Sequence, residues 1–193
     1  MKEEIANLKR QRILEIAGRH FNDAGYENTQ ISAIAKEAEV SIGTIYSLFE
    51  NKEGLLVAYI NSEIENAYQE MIGLIEAVED PEEKLKIMTR QKFKYVSERK
   101  KNLKEVLNKN PMFLVQTSLG EGCPMRRVYE LIESILRVMA ESVPLKSNDF
   151  TQMAYNLKAL SNGYIERWAA EEDFDFCDKA DEAVEFFLNG IKQ

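Results

Sequence analysis

An all-α fold is what this sequence predicts, and three observations predict it. Apolar residues recur at spacings of three and four in one segment after another of the 193-residue chain, the period that gives a helix one buried face. Those segments are punctuated by residues that start and stop helices: Gly25, Ser41, Asn51, Asp80-Pro81, Asn110-Pro111 and Pro144. Hydrophobic residues make up 45% of the chain, enough to build a core and too many for a disordered polymer.

The same numbers exclude several classes. No apolar run approaches the ~18 residues of a membrane span. The opening MKEEIANLKRQR lacks the apolar stretch of a signal peptide, so a cytoplasmic protein is expected. Cys123 and Cys177 lie far apart without metal-ligand spacing, the pattern of reduced thiols. His20, the single histidine, has no convergent Cys or carboxylate partners for zinc and reads as a packed or edge residue. There is no P-loop, no GxGxxG, no nucleophile elbow and no HExxH. Glu82-Glu83 and Glu171-Glu172 sit in charged runs and read as solvated faces. No enzyme, cofactor or metal is expected.

The first helix should cover residues 4–23, with Ile13, Ile16, Ala17 and His20 on one face, Phe21 beside it, and Gly25 at its C′ position. The stretch 29–56, TQISAIAKEAEVSIGTIYSLFENKEGLL, organises the rest. Ile31, Ile34, Ala35 and Ala38 make one short stripe, with Thr29 placed to cap it. Glu39 and Val40 leave room for a turn only, and Ser41 caps a second short helix through Gly43, Thr44, Ile45, Tyr46 and Ser47. Two short helices so joined suit a helix-turn-helix, whose second helix enters the DNA major groove. Small and hydroxyl residues at that helix's start let its backbone approach DNA, and Thr44, Tyr46 and Ser47 can reach phosphates or base edges.

Asn51 should cap a long helix over 52–78, striped by Leu55, Leu56, Tyr59, Ile60, Ile64, Ala67, Met71, Leu74 and Ile75. Its length of ~40 Å is enough to link two units. After Asp80-Pro81, residues 82–99 place Leu85, Met88, Thr89, Lys92 and Val96 on one face. A short helix is expected over 102–108, then helices over 124–143, 150–170 and 178–192. In the last two, Met153, Leu157, Leu160, Tyr164 and Trp168, and then Ala180, Ala183, Val184, Phe187, Leu188 and Ile191, form stripes. Their width suits a core and, beyond it, a partner surface.

From about Arg12 to Leu56 the chain resembles the TetR (tetracycline-repressor-type) transcriptional regulators. The resemblance rests on Ile13, Ala17, Phe21, Gly25-Tyr26, Thr29, Ile34-Ala35, Val40-Ser41, Gly43-Thr44, Tyr46, Phe49 and Lys52-Glu53. It implies a DNA-binding unit over 1–51 and a helical ligand-binding and dimerisation unit over 52–193. The implied function is a ligand-responsive repressor that binds a palindromic double-stranded operator as a homodimer. The DNA contacts it implies are Thr29, Ser41, Ile42, Gly43, Thr44, Tyr46, Ser47 and Lys52.

The chain departs from the family at Glu39, where a turn glycine is usual, and at Ile42, Leu48 and Glu50, where basic, aromatic or polar residues are common. Ile42 can touch a thymine methyl but cannot hydrogen-bond a base. Residues 1–58 hold seven Lys/Arg against nine Asp/Glu, within a chain of net charge −8. This acidic balance, with Ile42 and Glu50, also suits a helical interaction module that has lost DNA binding. Steep weakening of DNA affinity by salt separates the two readings.

A pocket for a small apolar or amphipathic effector is also implied, with Met88, Phe93, Met112, Phe113, Met139, Tyr155, Tyr164 and Trp168 as its candidate lining. The last two helices of the family pair across a two-fold, which points to Leu157, Leu160, Tyr164, Val184, Phe187, Leu188 and Ile191 as the dimer interface. No charged clamp for the effector stands out in the sequence.

Overall fold

The computed structural model describes residues 2–99, 124–171 and 173–193, with Lys2 and Glu3 as backbone only. The short helix expected over 102–108, together with Met112, Phe113 and Cys123, lies outside the described residues. The described residues form eight helices: α1 (Lys2–Ala24), α2 (Ile31–Glu37), α3 (Ile42–Phe49), α4 (Lys52–Glu76), α5 (Pro81–Glu98), α6 (Met125–Ala140), α7 (Phe150–Ala170) and α8 (Ala180–Ile191). The all-α expectation holds, with one isolated bridge between Leu145 and Lys192.

Most helix ends follow from local chemistry. Gly25 stops α1 at φ 82°, a conformation that glycine adopts without steric cost. Ser41 Oγ accepts from the Thr44 N–H at 3.1 Å, and Asn51 Oδ1 from the Gly54 N–H at 2.7 Å. Asp80 caps α5 through the Glu82 N–H, with Pro81 in the first turn. Gly54 is glycine for a steric reason: a Cβ there would stand 2.1 Å from the Phe49 carbonyl oxygen. That contact sets the tight junction between α3 and α4.

Thr29 does not cap α2. Gln30 holds the N-cap position without a side-chain bond. The Thr29 hydroxyl is instead shared between the carbonyls of Gly25 (2.8 Å) and His20 (3.0 Å). It closes the end of α1, where unsatisfied carbonyls would otherwise be buried.

Two clusters of buried side chains make the interior. One runs from Ile13, Phe21, Ile34, Ile45 and Phe49 through Leu55 and Tyr59 to Phe93, Trp168 and Phe176. The other joins Met71, Leu85, Ile132, Leu136, Leu157 and Phe187. Helix α4 contributes to both, and α1 packs on its first half. Leu74, expected in the α4 stripe, is exposed. Ion pairs tie α5 to α8, with Arg90 Nε donating to Asp181 at 2.6 Å and Lys192 to Glu82 at 2.9 Å.

Candidate functional site

The helix-turn-helix is built from α2, a turn at Ala38-Glu39-Val40, and α3. Glu39 sits at φ 56°, the left-handed conformation that a glycine would hold without strain. Ile45 and Phe49 are buried and anchor α3. The opposite face is outward: Ser41, Ile42, Gly43, Tyr46, Ser47 and Leu48 are exposed and Thr44 is half-buried. Ile42 and Tyr46 stay 44% and 46% exposed, large for apolar or aromatic side chains on a well-anchored helix. Leu48, absent from the expected contact set, shares this face.

Two expected contacts are placed differently. Thr29 is buried against the end of α1, so its side chain is not at this surface. Lys52 Nζ donates to the Glu27 carbonyl at 3.0 Å and lies 4.7 Å from the Tyr26 ring centroid, bracing the loop before α2.

Positive charge near the face is partly used within the fold. Arg19 donates to Glu37 at 2.6 Å, and His20 Nε2 meets the other Glu37 oxygen at 2.8 Å. These bonds, that from Arg19 first, hold the Glu37 carboxyl below its ordinary range. They place His20 as an edge residue between α1 and α2. Arg12 pairs with Glu39 at 3.7 Å.

The second feature is a cavity of about 230 Å³ between α4, α5, α6 and α7. Its wall is mostly apolar and includes Ile60, Ile64, Met71, Met88, Val128 and Ile132. Of the expected lining residues within the described chain, Met88 alone faces it. Phe93 instead packs edge-on to Phe176 (5.0 Å between centroids) and near Tyr164 (5.9 Å). Trp168 completes that aromatic cluster through Phe176 at 5.6 Å. Met139 is buried in the second cluster. Tyr155 stacks on Tyr129 at 4.3 Å and is half exposed.

The cavity also reaches the end of α1, which packs on α2 of the helix-turn-helix. Phe21, Asn22 and Tyr26, at the end of α1 and just beyond, line one side of it. Asn22 Nδ2 donates to Tyr59 Oη at 3.4 Å. A Cβ at Gly18 would stand 2.5 Å from the Tyr59 ring, so α1 and α4 are at closest approach where Tyr59 lines the cavity.

Lys92 enters the cavity from α5. Its ammonium donates to Ser161 Oγ at 2.6 Å and Asn162 Oδ1 at 2.7 Å, both on α7. Burial, with the like charge of Lys158, pushes Lys92 down to about 7, against a weaker opposite pull from Glu166. The signal for it was visible, a lysine inside the stripe of Leu85, Met88, Thr89 and Val96.

The residues expected at a dimer interface are largely interior to one chain. Leu157, Val184, Phe187, Leu188 and Ile191 are buried, and Leu160 and Tyr164 are half-buried. Helix α8 spends its apolar width on α5 and α7, both of which it packs against. The outward residues of α7 and α8 include the apolar or small Tyr155, Ala159, Gly163, Phe186 and Gly190 among charged and polar ones such as Glu166, Arg167, Glu182 and Glu185, with open space where a Cβ at either glycine would stand.

Residues 13–59 match the family of bacterial regulatory proteins described as the tetR family. That segment belongs to the TetR family. The chain is 35% identical over 82 residues to the HTH-type transcriptional regulator HbdR of Aromatoleum sp. (strain CIB), covering 42% of this chain and 36% of HbdR. It is 28% identical over 142 residues to the HTH-type transcriptional repressor KstR of Mycolicibacterium smegmatis, covering 73% of this chain and 68% of KstR. The match thus spans little over a third of one curated relative and about two thirds of the other. The fold is similar to that of the transcriptional regulator FadR from Bacillus subtilis, solved in complex with stearoyl-CoA. That structure aligns at a TM-score of 0.72 and 21% identity over 94% of this chain and 98% of the other. These relatives are transcriptional regulators rather than enzymes. Among the described residues no helix is long and apolar enough to cross a membrane.

Proposed function

We propose that this chain is a DNA-binding transcriptional regulator, a repressor whose hold on a palindromic operator is set by a small effector. The observation that carries the reading is the outward face of α3, fixed from behind by Ile45 and Phe49 and edged by small and hydroxyl residues. Residues 1–51 act as the reading unit and 52–193 as the effector and dimerisation unit, with α4 common to both. Ser41, Thr44, Tyr46 and Ser47 supply hydrogen bonds to phosphates or base edges, and Gly43 lets the backbone come close. Ile42, with Leu48, supplies apolar contact to thymine methyls. Lys52 meets phosphate by leaving Glu27.

Dimerisation uses the outward strip of Tyr155, Ala159, Gly163, Phe186 and Gly190, because the neighbouring apolar residues are already covered within the chain. A two-fold there presents two copies of α3 to one side of a duplex. The effector occupies the cavity and is apolar or amphipathic. Its leverage on DNA runs through Tyr59, Asn22 and Gly18, where cavity wall and α1 coincide. It cannot exceed the effector's difference in affinity between the two arrangements. A reader of chromosomal DNA works in the cytoplasm.

The test is selection of random and genomic DNA fragments by the purified protein at fixed moderate salt. An enriched inverted repeat, with affinity falling steeply as salt rises, supports the reading. A blank both alone and with cell metabolite extract sinks it and favours a protein-binding module.

A further inference from the structure

We propose that the cavity is a site for an amphipathic anion, a molecule with an apolar tail and a carboxylate head taken by the Lys92 ammonium. This deepens the effector reading above and rests on it.

Three observations converge. First, the described cavity wall carries Lys92, Arg99 and Lys158 but no Asp or Glu, in a chain with 33 acidic residues against 25 basic. Chance alone would favour the opposite sign. Second, the three cations differ. Arg99 is paired with Glu63, whereas Lys92 has no carboxylate within salt-bridge distance among the described residues. Lys92 instead reaches two neutral oxygens, Ser161 Oγ and Asn162 Oδ1, which leaves one of its three N–H groups without an acceptor among them. Third, Ser161 is itself fixed, its hydroxyl donating to the Lys158 carbonyl at 3.0 Å. The ammonium is therefore held at one place on the wall.

A half-buried ammonium without a counter-charge among the described residues is costly, and a methionine or leucine at position 92 would continue the α5 stripe without that cost. The depressed proton affinity of Lys92 is the mark of that cost. A carboxylate entering the cavity removes it, forming a charge-assisted hydrogen bond against a mostly apolar wall. The remaining wall of Ile60, Ile64, Met71, Met88 and Ile132 suits the tail. A cationic amphiphile finds no carboxylate on the described wall and two ammonium groups against it.

The experiment is calorimetric titration of the full chain with dodecanoate, dodecanol and dodecyltrimethylammonium, which share a tail and differ in head. In the wild type, dodecanoate is expected to bind at least tenfold tighter than dodecanol, and the ammonium weakest. Lys92→Met should bring dodecanoate level with dodecanol, and Lys92→Arg should restore a preference for the acid. Should Lys92→Met fail to fold, the wild type decides alone, through titrations near pH 8 in two buffers of different ionisation heat. Dodecanoate is then expected to take up a proton as it binds, and dodecanol none, because the arriving anion returns Lys92 to its charged form. The charged and titratable groups sharing its cavity or its field are Lys158 and Glu166 on α7, Tyr129 on α6, Tyr59 and Tyr68 on α4, Tyr95 and Arg99 on α5, and Tyr26 just after α1. Equal binding of acid and alcohol, or a preference that survives Lys92→Met, overturns the assignment of the head while leaving an effector cavity in place. Binding of none of the three overturns both.

Discussion

The outward face of α3 and the inner wall of the cavity break the ordinary rule of burial in opposite directions. On α3, Ile42, Tyr46 and Leu48 stand in solvent although the helix has a buried side that could have taken more apolar surface. In the cavity, Lys92 is turned inward although α5 has a solvated side. Each arrangement costs free energy in the isolated chain. On the readings proposed above, each becomes favourable when something else arrives, a groove edge for the first and an anion for the second. On those readings, residues that oppose the burial rule mark function better than residues that obey it, such as Phe93 or Met139.

The contrast within α3 can be broken most sharply from behind. Phe49→Ala removes the buried anchor and should lower stability by about 3–5 kcal/mol, seen as a fall in the denaturant midpoint. If that loss stays below about 1 kcal/mol, α3 is not held as described.

The contrast in the cavity is sharpened by pH. Lys92 has a folded value near 7 against 10.5 ordinarily. Between those values the unfolded chain binds a proton that the folded chain does not, so its contribution makes stability rise with pH. From pH 7 to 9 the rise should be about 2 kcal/mol, and Lys92→Met should lack it. Chemical denaturation of both proteins at the two pH values measures the difference.

On the outward side of α3 the expected signature is reversed. Tyr46→Ala and Thr44→Ala should weaken operator binding by roughly tenfold each, about 1.4 kcal/mol, while the melting temperature barely moves. Unchanged binding by both variants would remove α3 as the reading helix. The smallest effect is expected at Glu39. Glycine there relieves the positive φ and should stabilise the fold by about 1 kcal/mol, which a denaturant series can resolve.

Much of this was legible in the sequence because its causes are local. Helix periods, the Ser41 and Asn51 caps, the Asp80-Pro81 break, Gly25 and the missing turn glycine at Glu39 depend on residues within a turn or two of each other. Thr29 leaves the cap position expected for it because two carbonyls compete for its hydroxyl. The sequence shows that a threonine precedes a helix, but not that the carbonyls of His20 and Gly25 lie closer than the first turn of α2.

The cavity was not legible for a different reason. Lys92 and Ser161 are 69 positions apart, and neither belongs to a motif. Phe93, expected in the lining, is the next residue along from Lys92, and one step on a helix sends it into the aromatic cluster instead. Periodicity likewise identified the apolar stripe of α8 without saying what covers it. A stripe is the same in one dimension whether its partner is α5 of the same chain or a second subunit.

The sequence by itself determined the helical class, the helix-turn-helix and its family, because these rest on short-range spacing and backbone chemistry. Only the tertiary structure decided which apolar faces were consumed inside one chain, where space was left empty, and that a lysine faces that space. Those are properties of distances between residues remote in the chain, and packing alone sets them.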